Sequence, residues 1–216
     1  MENEMVIMDD IEKIINTLIV ECEHFNSELH LNERYLHHRF SFLVQEKYPI
    51  SLTNSFGLHP EWATNIKYIR PGGCYKEDKE LGKYFIDESG GAGFIDFAIG
   101  EDNKPSCAIE FKMSSGFERE GLTYDYVKLL DPENSIGMSY SLVVYYNRKS
   151  ESKKLSDYLN KCIKDAYDRL KGRNKTLNKH HFYVLEIFEK KTTRVANLYE
   201  CLNDNSFRRP QEKLDI

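Results

Sequence analysis

Three charged residues stand inside two otherwise apolar strings: Asp96 in GFIDFAIG, and Glu110 and Lys112 in SCAIEFKM. Side chains alternate faces along a strand, so Glu110 and Lys112 share one face while Ile109 and Phe111 take the other. The connection Gly100-Glu101-Asp102-Asn103-Lys104-Pro105 is rich in turn residues and short enough for a hairpin, which would set Asp96 beside Glu110. Two carboxylates and one ammonium would then converge on a sheet whose other positions are apolar. Buried charge is costly unless something pairs with it. A divalent cation answers the carboxylates, and the lysine can serve a reaction.

Glu-x-Lys alone carries little information in a chain this charged. It recurs at Glu77, Glu151 and Glu189, but none of those lies in an apolar strand that follows a strand with an embedded Asp. The plain alternative is an edge hairpin whose polar face looks at water. A second acid can join the group. Asn32 can cap a helix running to about Lys47, and in it Glu33 precedes Leu36 by three, His37 by four and Phe40 by seven, all near one face. Glu33 is either aimed at the same site or an acid that complements the helix dipole.

These residues need a frame, and the pattern supplies one. Ile11, Ile14, Ile15, Leu18, Ile19, Cys22 and Phe25 recur at helical spacing over 8–29. Strands near 64–70 and 83–87 lead to the hairpin of 94–99 and 107–113, and a short helix at about 122–131 ends before Pro132. SYSLVVYY (139–146) reads as a buried strand, 154–172 as an amphipathic helix, and 181–188 and 194–200 as closing strands. The expected fold is α/β, a central mixed sheet with helices on both faces, in one domain spanning 1–216.

No apolar run approaches the ~20 residues of a membrane span. The acidic start MENEMVIMDD lacks the features of a signal peptide, and the five cysteines never form a C-x-x-C pair. These signs predict reduced, mostly buried thiols in a cytoplasmic protein without a membrane partner. Net charge is −5, unevenly spread: residues 1–33 hold nine acids and one lysine, whereas 148–181 hold eleven Lys/Arg against four acids. That basic stretch, with Lys171, Arg173 and Lys175, is either a phosphate-contacting surface or the solvated face of a helix. The adjacent pairs His37-His38 and His180-His181 direct their rings apart, and no Cys/His zinc spacing, phosphate-binding glycine loop or nucleophile elbow is present.

Asp96, then thirteen residues, then Glu110-Phe111-Lys112, behind a helix bearing Glu33, resembles the PD-(D/E)XK, or restriction-endonuclease-like, nuclease superfamily. The resemblance covers about 30–146, with 8–29 and 154–200 as extensions, and Ile95 stands where the name has Pro. NERYLHHRF is similar to the first-helix pattern of some members, and LHPEW, GFIDFAIG and IEFKM are similar to strings of a bacterial family. The resemblance implies an αβββαβ core and Mg²⁺ (or Mn²⁺) held by Asp96, Glu110 and the Phe111 carbonyl. It implies Glu33 as a helper acid and Lys112 at the attacking water or the transition state. Lys128, in YDYVKLLD, would touch a phosphate or be a solvated surface lysine. The implied activity is hydrolysis of phosphodiester bonds, in DNA more than RNA, in defence or repair. The other reading is a noncatalytic module of the same fold that binds nucleic acid or serves a larger complex. Both leave room for a homodimer or a partner subunit.

Overall fold

The computed structural model describes residues 2–24, 32–50, 56–68, 90–114, 119–146, 153–172, 176–190, 193–202 and 205–210. Two helices, α1 (Glu2–His24) and α2 (Glu33–Gln45), precede three strands, β1 (Gly57–Tyr68), β2 (Gly91–Glu101) and β3 (Lys104–Ser114). Then come α3 (Arg119–Leu130), β4 (Met138–Tyr146), α4 (Lys153–Leu170), β5 (Lys179–Lys190) and β6 (Thr193–Cys201). The six strands form one mixed sheet in chain order. β1, β2 and β3 are an antiparallel meander, β4 and β5 run parallel to β3, and β6 turns back antiparallel.

The expected elements are present with shifted ends. α1 starts earlier, the 25–29 part of its expected span lies outside the described residues, α3 is already helical at Arg119, and the hairpin strands extend until only Asp102 and Asn103 separate them. β1 covers the first part of the expected 64–70 strand and begins well before it. The expected strand at 83–87 lies outside the described residues.

Parallel neighbours need a crossover, and α3 and α4 provide those from β3 to β4 and from β4 to β5. Both steps advance in the same direction across the sheet, so crossovers of one hand put both helices on one face. Ile95, Ala98, Ala108 and Val143 pack there with Leu122, Tyr126, Leu159 and Ile163. On the other face Phe97, Ile99, Ile109 and Phe111 pack with Ile11, Ile15, Leu36 and Phe40. Asn32 caps α2, its Oδ1 accepting from Tyr35 N at 3.1 Å. Phe40 then wedges its ring 5.0 Å from both Phe97 and Phe111. Burying one such side chain contributes about 1.5–3 kcal/mol. Glu21 accepts a forked pair of hydrogen bonds from Arg39 and ties α1 to α2.

Gly100 closes the hairpin at φ 132°, and a Cβ there would meet Ser106 N at 2.5 Å, so only glycine fits. Trp62 Nε1 donates to Asp102 O at 2.6 Å and His59 Nε2 lies 2.9 Å from Gly100 O, latching the turn to β1. Cys22, Cys107, Cys162 and Cys201 are buried and unbonded, and burial pushes the Cys107 thiol up to about 12. No described helix is long and apolar enough to cross a membrane.

Candidate functional site

The sheet is irregular at one level. Strict alternation would put Ile95 and Phe97 on one face, yet Ile95 packs on the α3/α4 side and Phe97 on the α1/α2 side. Leu58 and Trp62 of β1 differ in the same way. Between them Glu61 has φ 51°, a left-handed conformation few bulky residues adopt. It sits between the pairs Pro60↔Phe97 and Trp62↔Ile95, so the two strands turn together at Glu61 and Asp96. The ladder between β2 and β3 stops at the same point, its last pair being Phe97↔Ile109.

Carboxylates replace the missing ladder bonds. Asp96 N donates to Glu110 Oε2 at 3.1 Å, and Phe111 N donates to Asp96 Oδ2 at 2.6 Å. Two residues further along β3, Met113 N donates to Glu33 Oε2 at 3.1 Å. Glu33 is exposed, but it is fastened to the strand that carries Glu110, so it is more than a charge at a helix start.

The expected convergence of Asp96, Glu110 and Lys112 is corrected: Asp96 meets α2, whereas the other two meet α3. Glu110 and Lys112 turn towards α3, because the packing of Phe111 on Phe40 commits the opposite face of β3 to α2. Glu110 is 7 % exposed, and its Oε1 accepts from Lys128 Nζ at 2.7 Å. Lys128 Nζ also lies 3.1 Å from Asp125 Oδ1 and donates to Phe94 O at 2.7 Å. Asp125 Oδ2 lies 3.3 Å from Lys112 Nζ. The result is a chain of alternating charge, Glu110, Lys128, Asp125, Lys112, buried except at its half-buried Lys112 end. Burial draws the Glu110 carboxyl well above its usual range, with Lys128 opposing. Burial also works against the Lys128 ammonium, but Glu110 and Asp125 outweigh it and hold its pKa above the ordinary lysine value.

Lys128 is therefore neither a surface lysine nor a phosphate contact. It is 3 % exposed and its ammonium is consumed by protein oxygens. A Cβ on Gly93 would lie 3.0 Å from its stem, so the glycine leaves room for it.

Asp96 faces the other helix. Its Oδ2 lies 3.2 Å from His37 Nε2 on α2. The ring stands against Phe97 and Phe111 at centroid distances of 5.7 and 5.8 Å. Contact with Asp96 raises the His37 pKa above its usual value, more than burial lowers it. Ligand atoms of His37, Glu61 and Asp96 lie within 4.8 Å of one another.

The implied ligand set fits a cation only in part. Asp96 is partly open and borders other oxygen and nitrogen donors. Glu110 already has one oxygen on an ammonium and the other on a backbone N–H. Asp125, Glu61 and His37 escape the sequence pattern. Asp125 lies three residues before Lys128, and His37 four after Glu33, so helical spacing was the available signal for both. Nothing local marks Glu61.

Lys171, at the end of α4, is exposed and pairs with Asp168 at 2.5 Å. Arg173 and Lys175 lie outside the described residues. Comparison with protein-family models, with curated proteins and with solved structures returns no match.

Proposed function

We propose that this chain hydrolyses phosphodiester bonds in nucleic acid, DNA more than RNA, with the aid of a divalent cation. The observation that supports this reading is the parted β2–β3 ladder, where Asp96 and Glu110 replace backbone hydrogen bonds and Glu33 and Lys112 border the same opening. A sheet built only for stability would close that ladder, since unpaired backbone groups and buried carboxylates both cost free energy. The element order from α2 to β4 is α-β-β-β-α-β, as the PD-(D/E)XK resemblance implies.

When bound, the cation would neutralise charge on the phosphate and lower the pKa of a water. Asp96 supplies a partly exposed carboxylate at the mouth of the opening. Lys112 brings a positive charge, oriented by Asp125, to where negative charge builds in phosphoryl transfer. Glu33, fastened to Met113 N, keeps an acid at the rim and can orient a water or a second ion. The basic stretch that includes Lys171 can contact the nucleic-acid backbone, a role favoured by its excess of cations in an acidic protein.

One feature favours the second reading, a noncatalytic module that binds nucleic acid or a larger complex. Glu110, the expected ligand, is already neutralised by Lys128. The two readings part in one assay. Single- and double-stranded DNA and RNA are incubated with the protein and Mg²⁺ or Mn²⁺, alongside Asp96→Ala, Glu110→Ala and Lys112→Ala. Divalent-dependent cleavage by the wild type, lost in all three folded variants, supports the hydrolase. Absence of cleavage with every substrate, together with no cation site by calorimetry, leaves the noncatalytic module.

A further inference from the structure

We infer that the cation of this site is held by His37, Glu61 and Asp96 rather than by Asp96 and Glu110, and that it is a first-row transition ion such as Mn²⁺ in preference to Mg²⁺. The inference deepens the hydrolase reading, but binding at these residues stands whether or not the chain cuts nucleic acid.

Three observations converge. The ligand atoms of His37, Glu61 and Asp96 come from α2, β1 and β2 and lie within 4.8 Å of one another. Donors around one ion at ~2.0–2.2 Å lie at most roughly 4.4 Å apart, so a contraction of a few tenths of an ångström closes the set. Glu61 is exposed, and its long side chain can supply that movement.

His37 Nε2 is withdrawn from solvent and, among the described residues, its contact with Asp96 Oδ2 at 3.2 Å falls short of an aligned hydrogen bond. A buried ring nitrogen without a directed partner costs free energy, and a metal on its lone pair removes that cost. The ring is already held in place by Phe97 and Phe111, so little side-chain freedom is lost on binding.

The other side of the strand pair offers a cation less. Lys128 supplies Glu110 with its positive charge from within the protein. Among the described residues around the opening, the acids left on the α2 side are Asp96, Glu61 and the rim residue Glu33. Carboxylates accept Mn²⁺ as readily as Mg²⁺, and the imidazole tips the set towards first-row transition ions, because Mg²⁺ favours oxygen donors alone.

The test uses the full chain with MnCl₂ or MgCl₂ and no nucleic acid. Mn²⁺ binding is followed by electron paramagnetic resonance and calorimetry, and a directly bound imidazole by ¹⁴N modulation of the electron spin echo. The wild type is expected to bind Mn²⁺ more tightly than Mg²⁺ and to show the ¹⁴N signature. His37→Ala should abolish that signature, and His37→Ala and Glu61→Gln should each weaken Mn²⁺ roughly tenfold or more, at least the loss typical for a supporting residue. Glu61→Gln changes an exposed side chain, so its effect does not depend on an intact core. Mn²⁺ binding without the ¹⁴N signature, insensitive to both changes but weakened by Glu110→Gln, overturns the inference while leaving the hydrolase reading standing. A wild type that binds no divalent ion overturns the inference, and the cleavage assay then decides the hydrolase. A His37-ligated ion in a protein that cuts no nucleic acid supports the inference and removes the hydrolase.

Discussion

The two sides of the β2–β3 opening hold similar acids in opposite states. On the α3 side Glu110 and Asp125 are buried and alternate with Lys128 and Lys112, so charge is balanced within the protein. On the α2 side Asp96 and Glu61 are more exposed and meet a single titratable ring, His37. Buried ions must be paired, so the α3 side is rigid and self-sufficient. Partly solvated carboxylates tolerate a missing partner, so the α2 side stands without an internal ammonium at modest cost. The difference between the sides lies in which helix brings lysine: α3 carries one at the right register, and the face of α2 carries histidine instead.

Removing Lys128 attacks this contrast most directly. Lys128→Met leaves Glu110 buried without its counter-ion and Asp125 with Lys112 alone, and should cost about 3–5 kcal/mol in urea unfolding. Adding Glu110→Gln should recover much of that loss, since the stranded charge is gone. A single variant as stable as the wild type would mean that the α3 side is not an internal ion chain.

Asp96→Asn tests the other side. It keeps shape and removes charge, so stability should change little while divalent-dependent cleavage falls about 10²–10³-fold, the scale of losing one transition-state contact. Unchanged cleavage would sever Asp96 from the chemistry.

Asp125→Asn lies between the two in effect. It loosens both Lys128 and Lys112 and should cost about 1–3 kcal/mol. If Lys112 acts in the reaction, kcat should fall with KM nearly constant, because a misplaced ammonium affects the transition state more than binding.

The smallest effect is electrostatic. His37 has a raised pKa in the folded protein, so its contact with Asp96 contributes stability that is fully present below the unfolded value of 6.5 and is lost as pH rises through the higher folded one. The change should stay under about 1 kcal/mol, as for a partly exposed pair. It should vanish in His37→Gln when denaturation midpoints are compared from about pH 5.5 to 8.5.

Much of this arrangement was already legible in the chain. Apolar periodicity located the α1, α2 and α4 helices, Pro132 marked the end of α3, and composition located β4 and β5, because burial of one face leaves a regular imprint. Alternation along SCAIEFKM correctly separated Glu110 and Lys112 from Ile109 and Phe111. Asn32 before Glu33 announced a helix start that the structure caps through Tyr35 N. Tertiary structure alone decided which helix each face would meet. Periodicity says that Glu110 faces something other than Phe111, but only the docking of Phe40 assigns that direction to α3 and Lys128. Lys128 reads as a surface residue because a buried ammonium is recognisable only by its partners: Asp125 is three residues before it, but Glu110 is 18 away and Phe94 is 34 away. The meeting of His37, Glu61 and Asp96 was equally hidden. It depends on a left-handed kink at Glu61 and on a break in alternation at Asp96, and regular patterns carry no trace of irregular backbone.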